Sequence, residues 1–179
     1  GPYSEEDCTY PINYYGKTKL ESENILRGSR RKHLIIRPNV LYSEDLIYNA
    51  NFFAWVYNSL ANNKPISVVN DQISNPTYVS HLVEVIFLCI ILNVEGIYHY
   101  GSDDFLSRYK FAIIIAKLFG FDKSLLSPIS TKSLFKKIKS YNAERPLNSG
   151  LKVDKIEREL NISAYCSEYS LKIIKANMA

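Results

Sequence analysis

Short apolar segments with strand character alternate with segments of helical periodicity along this chain. Residues 33–37 form a compact apolar run followed by a proline, as is typical of a buried strand whose carboxyl end opens into a loop. Residues 66–69 and 96–100 have the same character. Because helical patterns separate these strands, the alternation predicts an α/β fold.

Apolar spacing and capping residues locate the helices. Ser80 and Ser107 are candidate N-caps, and Gly28 and Gly120 suit the carboxyl ends of helices. Helices are predicted over residues 13–26, 51–60, 82–92 and 107–119, with less regular ones over residues 132–140, 153–160 and 168–175. Since 46% of the 179 residues are hydrophobic, we expect one globular domain that spans residues 1–179.

Composition argues against several classes of protein. The densest apolar run, residues 82–92, is shorter than the ~18 residues of a membrane span and contains Glu84. No leader with a basic start and an apolar middle is visible, so we expect a cytoplasmic protein without a membrane partner. A net charge of +4 without a recognisable nucleic-acid-binding module predicts no nucleic-acid partner.

The cysteines and histidines are scattered along the chain. They are Cys8, Cys89, Cys166, His33, His81 and His99. The odd number and wide spacing of the cysteines predict free thiols in a reducing compartment. The histidines show no ligand pattern and are expected to be structural, so we predict no metal site.

Tyr15 and Lys19 carry the strongest chemical signal. Their spacing of four places both side chains on one face of the predicted helix 13–26, where the ammonium favours the ionised form of the phenol. A free phenol titrates near ~10, so an enzyme that uses one as an acid at neutral pH needs a cation nearby. Such a spacing also arises by chance among 14 tyrosines, and the alternative is an exposed helix tyrosine beside a solvated lysine.

A glycine-rich turn is missing from this sequence. A dinucleotide-binding half needs a strand, such a turn and a helix whose N-terminal amides face the pyrophosphate. The seven glycines never approach the G-x-G-x-x-G spacing. These 179 residues therefore do not contain a cradle for a dinucleotide.

A series of short segments occurs in the order and at the spacing of one known family. They are residues 3–7, 11–20, 36–42, 51–52, 71–72, 76–77, 96–99 and 145–149. Together they resemble the C-terminal, substrate-binding part of dTDP-4-dehydrorhamnose reductases (the RmlD type), which are extended short-chain dehydrogenase/reductases. The resemblance implies a Rossmann-like α/β fold that lacks its N-terminal glycine-rich nucleotide-binding half.

The resemblance implies a reductase mechanism for the complete protein. Tyr15 would deliver a proton to a substrate keto oxygen while a nicotinamide delivers hydride to the same carbonyl carbon. Lys19 would stabilise the phenolate and touch the nicotinamide ribose, so both residues would contact the cofactor. That cofactor is expected to be NADP or NAD. This chain alone is expected to bind it poorly and not to turn over.

The resemblance also assigns residues to a pocket for a nucleotide-linked deoxy sugar. They are Asn51, Asp71, Gln72, Thr77, Arg145, Asn148 and Ser149. The planar fork of Arg145 suits a diphosphate, although a structural ion pair is the alternative. Asp71 and Gln72 could instead form a turn. The basic run over residues 132–145 is typical of a solvated helix face, with a diphosphate contact as the alternative.

Two features bear on the choice between family branches. Many extended sugar-nucleotide epimerases have an Arg-Asp-aromatic pattern where this chain has Asn75-Pro76-Thr77-Tyr78, which favours the rhamnose-reductase branch. Rhamnose reductases typically have a tryptophan at the position of Val40, and its absence removes a stacking surface.

The segment around Val40 is equally similar to the regulatory β subunit of methionine adenosyltransferase, which keeps the fold but serves as a binding partner. Two interpretations follow for the chain: the substrate-binding, tyrosine-bearing half of a reductase of a dTDP-4-keto-6-deoxy sugar, or a non-catalytic binding module. Association with a missing N-terminal half, or with a second copy, is expected in the first case.

Overall fold

The computed structural model describes residues 1–47, 51–137 and 143–178. Its helices are α1 (Tyr14–Gly28), α2 (Phe52–Ala61), α3 (Val79–Ile91), α4 (Arg108–Phe119), α5 (Thr131–Lys137), α6 (Asp154–Leu160) and α7 (Ser167–Asn177). Its strands are β1 (Leu34–Pro38), β2 (Leu41–Tyr42), β3 (Ile66–Val69), β4 (Ile73–Ser74), β5 (Thr77–Tyr78), β6 (Gly96–Tyr100), β7 (Leu106–Ser107) and β8 (Leu126–Ile129). The predicted α/β alternation is confirmed.

Parallel pairing dominates the strands. β1 pairs in parallel with β6, so that Leu34 lies opposite Gly96 and Pro38 lies opposite Tyr100. β2 pairs in parallel with β5, and β3 with β8, whereas β4 and β7 are antiparallel. Because parallel strands need crossover connections, helices separate the members of the longer pairs. β1 and β6 end at the same edge, and this edge positions the site.

The ends of α4 follow directly from local sequence. Ser107 Oγ accepts a hydrogen bond at 3.2 Å from the Lys110 backbone N–H, which satisfies one free amide of the first turn. At the other end Gly120 adopts a φ of 74°, a left-handed conformation that glycine reaches without steric cost. Both predicted end residues of this helix are confirmed.

The start of α3 corrects one prediction. This helix begins at Val79, with Tyr78 at the N-cap position and no side-chain cap bond, so the prediction that Ser80 is the N-cap is wrong. Proximity to β5 explains the earlier start, because the chain passes from that strand into the helix without a loop. Sequence reasoning had no signal for this, since a two-residue strand shows no periodicity.

Other boundaries are close to those predicted. β1 is displaced by one residue from the predicted strand over residues 33–37. The helix predicted over residues 132–140 corresponds to α5, and its last part lies outside the described residues. The short strands β2, β4, β5, β7 and β8 were not predicted, because segments of two to four residues carry too little pattern.

Two apolar clusters form the interior. The larger lies between α2, α4 and α7 and contains the buried side chains of Phe53, Phe111 and Leu171. The smaller packs α3 and α6 against β6 and contains Ile156 and Tyr98. Full burial of such side chains contributes about 1.5–3 kcal/mol each, so these clusters fix β6 and α4 firmly.

No helix in the described ranges is long and apolar enough to cross a bilayer.

Helix α1 differs from the core helices because none of its residues is buried. Tyr14 is 81% exposed and Ile25 is 65% exposed. Among the described residues, β1 pairs with β6 along one edge and has no strand partner along the other. An exposed helix and an unpaired strand edge are both surfaces on which further polypeptide can pack.

Hydrogen exchange of this chain should separate α1 from the core. Because α1 buries no side chain, its amides should exchange faster than those of α4 by roughly two orders of magnitude or more. Exchange followed by NMR or mass spectrometry measures this difference. Equal protection of the two helices would show that α1 packs on its neighbours more tightly than its exposure indicates.

Candidate active site

A cleft of about 660 Å³ opens where β1 and β6 end. Pro38, Asn39 and Val40 at the carboxyl end of β1 form one part of its wall, and one face of α1 forms another. In α/β proteins ligands bind outside the carboxyl ends of parallel strands, because the strands diverge into loops there. This cleft is therefore the candidate active site.

Tyr15 and Lys19 lie together at the cleft. Both side chains line it, and the Lys19 Nζ lies 5.5 Å from the centre of the Tyr15 ring. Tyr15 is 69% exposed, so its phenol is accessible to a molecule in the cleft. The adjacent Tyr14 does not line the cleft. The geometry is that of an accessible proton donor with a cation on the same helix face.

Two hydrogen bonds of Asn13 fix the start of α1. Its Oδ1 accepts from the Gly16 backbone N–H at 2.8 Å and caps the helix. Its Nδ2 donates to the Glu144 carbonyl at 2.8 Å, which ties the helix to the segment that carries Arg145. The helix that bears Tyr15 and the arginine predicted to bind a diphosphate thus meet at one end of the cleft.

A bidentate ion pair joins α1 to the sheet. Arg37 on β1 donates from Nε to Glu23 Oε1 at 2.8 Å and from Nη2 to Glu23 Oε2 at 2.5 Å. The two side chains are 19% and 16% exposed, so solvent screens them only partly. This hydrogen bonding lowers the pKa of Glu23 and raises the pKa of Arg37. Sequence reasoning missed the pair, because the two residues are 14 positions apart.

His99 extends this pair to the N-terminal segment. Arg37 Nη1 lies 3.3 Å from His99 Nε2, and His99 Nδ1 lies 3.2 Å from the Tyr3 carbonyl. Arg37 can only donate, so Nε2 accepts and Nδ1 carries the proton that the carbonyl accepts. Burial of this 2% exposed side chain lowers the pKa of His99, which keeps the ring neutral. His99 is structural here, as its sequence context predicted.

Four of the seven residues predicted to bind the sugar nucleotide line the cleft. They are Gln72, Arg145, Asn148 and Ser149. Gln72 Nε2 donates to Thr131 Oγ1 at 3.0 Å, and Asn148 Nδ2 donates to the Gly1 carbonyl at 3.0 Å. Arg145 is exposed and forms no ion pair within the described part of the chain. Its predicted alternative, a structural ion pair, is therefore not seen there.

The other three predicted residues are not part of the cleft wall. Asn51 caps α2 by accepting from the Phe53 N–H at 3.1 Å, and both Asp71 carboxylate oxygens accept from the Thr131 N–H at 3.0 and 2.9 Å. Thr77 is buried, and its Oγ1 donates to the Asn39 carbonyl at 2.6 Å. The physical reason is that each polar group already satisfies a neighbouring backbone group.

Asn39 and Asn75 form a polar network behind the cleft that sequence reasoning did not assign. Asn39 lines the cleft and donates to the Ser149 carbonyl. Asn75 is fully buried and donates to the Ser102 and Leu151 carbonyls at 3.1 and 3.0 Å. A satisfied buried amide of this kind holds separate loops in one arrangement. The hydrogen bonds of Asn39 and Asn75 thus hold the loop that carries Asn148 and Ser149 against the end of β1.

A model of the RmlD substrate binding domain family matches residues 1–178. The chain belongs to this family. The dTDP-4-dehydrorhamnose reductase of Aggregatibacter actinomycetemcomitans is 31% identical over an alignment 187 residues long, and the match covers 98% of this chain and 61% of that protein. Methionine adenosyltransferase 2 subunit beta of Rattus norvegicus is 28% identical over 165 residues, which cover 87% of this chain and 47% of that protein.

The solved structures agree with the family assignment. A crystal structure of dTDP-4-dehydrorhamnose reductase from Bacillus anthracis str. Ames, in complex with NADP, matches with a TM-score of 0.85 and 28% identity. The match covers 99% of this chain and 59% of that one. The predicted RmlD-like α/β fold is confirmed. The chain spans less than two thirds of the length of each of these three proteins.

Val40 gives this RmlD-family chain an unusual turn at the cleft wall. Its φ is 41°, a left-handed conformation that β-branched residues rarely adopt and that costs about 1–3 kcal/mol. The Thr77 N–H donates to the Val40 carbonyl at 3.1 Å, and the Asn39 N–H donates to Thr77 Oγ1 at 3.2 Å. Thr77 thus acts on the cleft by holding this turn.

The Glu23→Gln substitution should loosen α1 in a pH-dependent way. It removes the carboxylate that Arg37 binds, and the loss of one charged hydrogen-bonded contact should speed exchange of the α1 amides about tenfold at pH 7. The folded-state pKa of Glu23 lies below its ordinary 4.5, so the stabilisation is present above that pH and is lost as the pH falls through the folded value. The ratio of variant to wild-type exchange rates should therefore approach one in acid.

Glu21→Gln is the matched control, since Glu21 is exposed on the same helix and forms no ion pair within the described residues. Exchange of the α4 amides should not change in either variant. A Glu23→Gln effect that is equal at pH 7 and in acid would contradict an electrostatic origin.

Proposed function

We propose that this chain is the substrate-binding, proton-donating half of a nucleotide-sugar reductase that acts on a dTDP-4-keto-6-deoxy sugar. The observation that carries the proposal is the placement of Tyr15 and Lys19 on one helix face at the cleft. The similarity to dTDP-4-dehydrorhamnose reductases supports the substrate class. A preceding segment would supply the dinucleotide cradle, and this chain alone would not turn over.

The proton chemistry follows from the residues in place. The Tyr15 phenol is accessible in the cleft and donates its proton to the keto oxygen as that oxygen gains negative charge. The ammonium of Lys19, on the same helix face, stabilises the phenolate that remains. A reduced nicotinamide, when bound, supplies the hydride that reaches the carbonyl carbon. Tyr15 and Lys19 are the residues of this chain that would contact that cofactor.

The remaining cleft residues would bind the sugar nucleotide. Gln72, Asn148 and Ser149 offer amide and hydroxyl groups on the cleft wall and suit sugar hydroxyls. Arg145 has no carboxylate partner among the described residues and offers a bidentate fork to a phosphate. We propose NADP or NAD as the cofactor of the complete protein, and the NADP complex of the Bacillus anthracis reductase supports this choice.

The exposed surface of α1 is consistent with a further segment that packs there in the complete protein. Helix α1 contacts β1 through Glu23 and Arg37, and among the described residues the second edge of β1 has no strand partner, so a further strand could pair there. The shares of 61% and 59% by which this chain covers two reductases leave room for such a segment in the complete protein. We propose that an N-terminal dinucleotide-binding half packs there.

A regulatory binding module is the second candidate function. The 28% identity to methionine adenosyltransferase 2 subunit beta favours it, as does Val40 at a cleft position where rhamnose reductases typically have tryptophan. This candidate predicts binding of a nucleotide sugar or a protein without turnover, even when the N-terminal half is present.

The Tyr15→Phe variant of the complete protein decides between the two candidates. Loss of the general acid should reduce NADPH oxidation with a dTDP-4-keto-6-deoxy sugar by ~100-fold or more, with little change in affinity for dTDP. Tyr14→Phe, at the neighbouring exposed tyrosine outside the cleft, should keep full activity. Full activity of Tyr15→Phe would reject Tyr15 as the acid, and an inactive wild type that binds dTDP would support the regulatory module.

A further inference from the structure

Arg108 is a cleft residue that sequence reasoning did not single out. It is the first residue of α4, and its side chain lines the cleft. The guanidinium carbon lies 5.1 Å from the centre of the Phe52 ring, which packs the planar group on an apolar surface. The Arg108 backbone N–H donates to the Gln72 carbonyl at 3.2 Å, so this residue is fixed beside a predicted substrate contact.

Arg108 forms no ion pair within residues 1–47, 51–137 and 143–178. Burial lowers the pKa of Arg108, and the nearby charge of Arg145 lowers it further. Both arginines line the same cleft, so an anion bound between them would offset the repulsion of their charges. Since an arginine side chain stays protonated in proteins, the repulsion is not relieved by loss of a proton.

The charges around the cleft do not cancel. Four cationic and two anionic side chains line it: Lys19, Arg37, Arg108, Arg145, Asp7 and Glu23. Glu23 is paired with Arg37, and the Asp7 carboxylate accepts a hydrogen bond from the Ser4 backbone N–H at 2.7 Å. The cleft therefore has an excess of two positive charges. A diphosphate esterified at both ends carries two negative charges, one on each phosphate.

We propose that Arg108 and Arg145 jointly bind the two phosphates of a nucleoside diphosphate sugar, and that Arg108 determines selectivity for a diphosphate over a monophosphate. The inference rests on the proposed function and extends it to a residue outside the predicted site. Arg145 reaches the diphosphate from the exposed side of the cleft, and Arg108 from the side backed by Phe52. Lys19 remains beside Tyr15 for the proton transfer.

Calorimetric titration of the complete protein with dTDP, dTMP and thymidine tests the assignment. Arg108→Gln should weaken the binding of dTDP about tenfold, because only the diphosphate engages both arginines. The binding of dTMP should weaken less, and that of thymidine should not change. The affinity of Arg108→Lys for dTDP should lie between those of the wild type and Arg108→Gln, since lysine keeps the charge but not the planar fork. The matched control is Lys110→Gln, which removes a positive charge from an exposed position of α4 outside the cleft and should bind dTDP as the wild type does.

Thermal unfolding separates a binding role from a structural one. Removing an unpaired, partly buried charge should leave the unfolding temperature of the unliganded Arg108→Gln variant unchanged or raised. A lower unfolding temperature with unchanged dTDP affinity would overturn the proposal and make Arg108 a packing residue. The same variants are also titrated with NADPH. If Arg108→Gln loses affinity for NADPH alone, Arg108 binds a phosphate of the cofactor and not of the sugar nucleotide.

The outcomes distinguish this inference from the proposed function. Normal dTDP binding by Arg108→Gln, with Tyr15→Phe inactive, would reject Arg108 and leave the reductase assignment standing. Arg108-dependent dTDP binding together with an active Tyr15→Phe variant would support the diphosphate site and reject the proton donor. Failure of the wild type to bind dTDP would overturn both.

Discussion

The ion pair between Glu23 and Arg37 joins α1 to the sheet, and the hydrogen bonds of Asn13 hold the start of the same helix. No side chain of α1 is fully buried, so apolar packing within this chain contributes little to holding the helix on the sheet. Tyr15, Lys19 and Glu23 are spaced by four and share one helix face, and all three line the cleft. Binding of Glu23 to β1 therefore sets the rotation of α1 about its axis and turns the phenol and the ammonium toward the cleft.

The two halves of the site depend on different parts of the core. Arg37 and His99 lie on the parallel pair β1 and β6, and the apolar cluster between α3, α6 and β6 backs that pair. Arg108 begins α4, which belongs to the larger cluster. The end of the cleft formed by α1 is thus attached through polar contacts, whereas Arg108 is positioned by a helix that packs in the core.

Local sequence was sufficient for the elements whose ends are set by neighbouring residues. Ser107 and Gly120 delimit α4 through a cap bond and a left-handed glycine, and both follow from residue type. The spacing of Tyr15 and Lys19 placed them together for the same reason, since a helix fixes neighbours four apart. The RmlD-like fold itself came from resemblance across the whole chain rather than from any one pattern.

Long-range contacts could not be predicted in the same way. Glu23 meets Arg37, and Arg108 approaches Arg145, only after the chain has folded, and nothing in their local sequence marks them. Asn51, Asp71 and Thr77 show the converse difficulty. The short polar side chains that suit a sugar also suit helix caps and turns, so composition does not separate the two roles, and the backbone groups nearest to them decide.

In the proposed reaction, the position of Tyr15 and Lys19 on one helix has a consequence for how a substrate would react. Any displacement of α1 moves the phenol and the ammonium together, so their separation is preserved while their distance from Arg108 changes. A ligand long enough to touch both regions would select one helix position. Binding energy gained at the phosphates would then orient the keto group for reaction, and shortened substrates would react more slowly as well as bind more weakly.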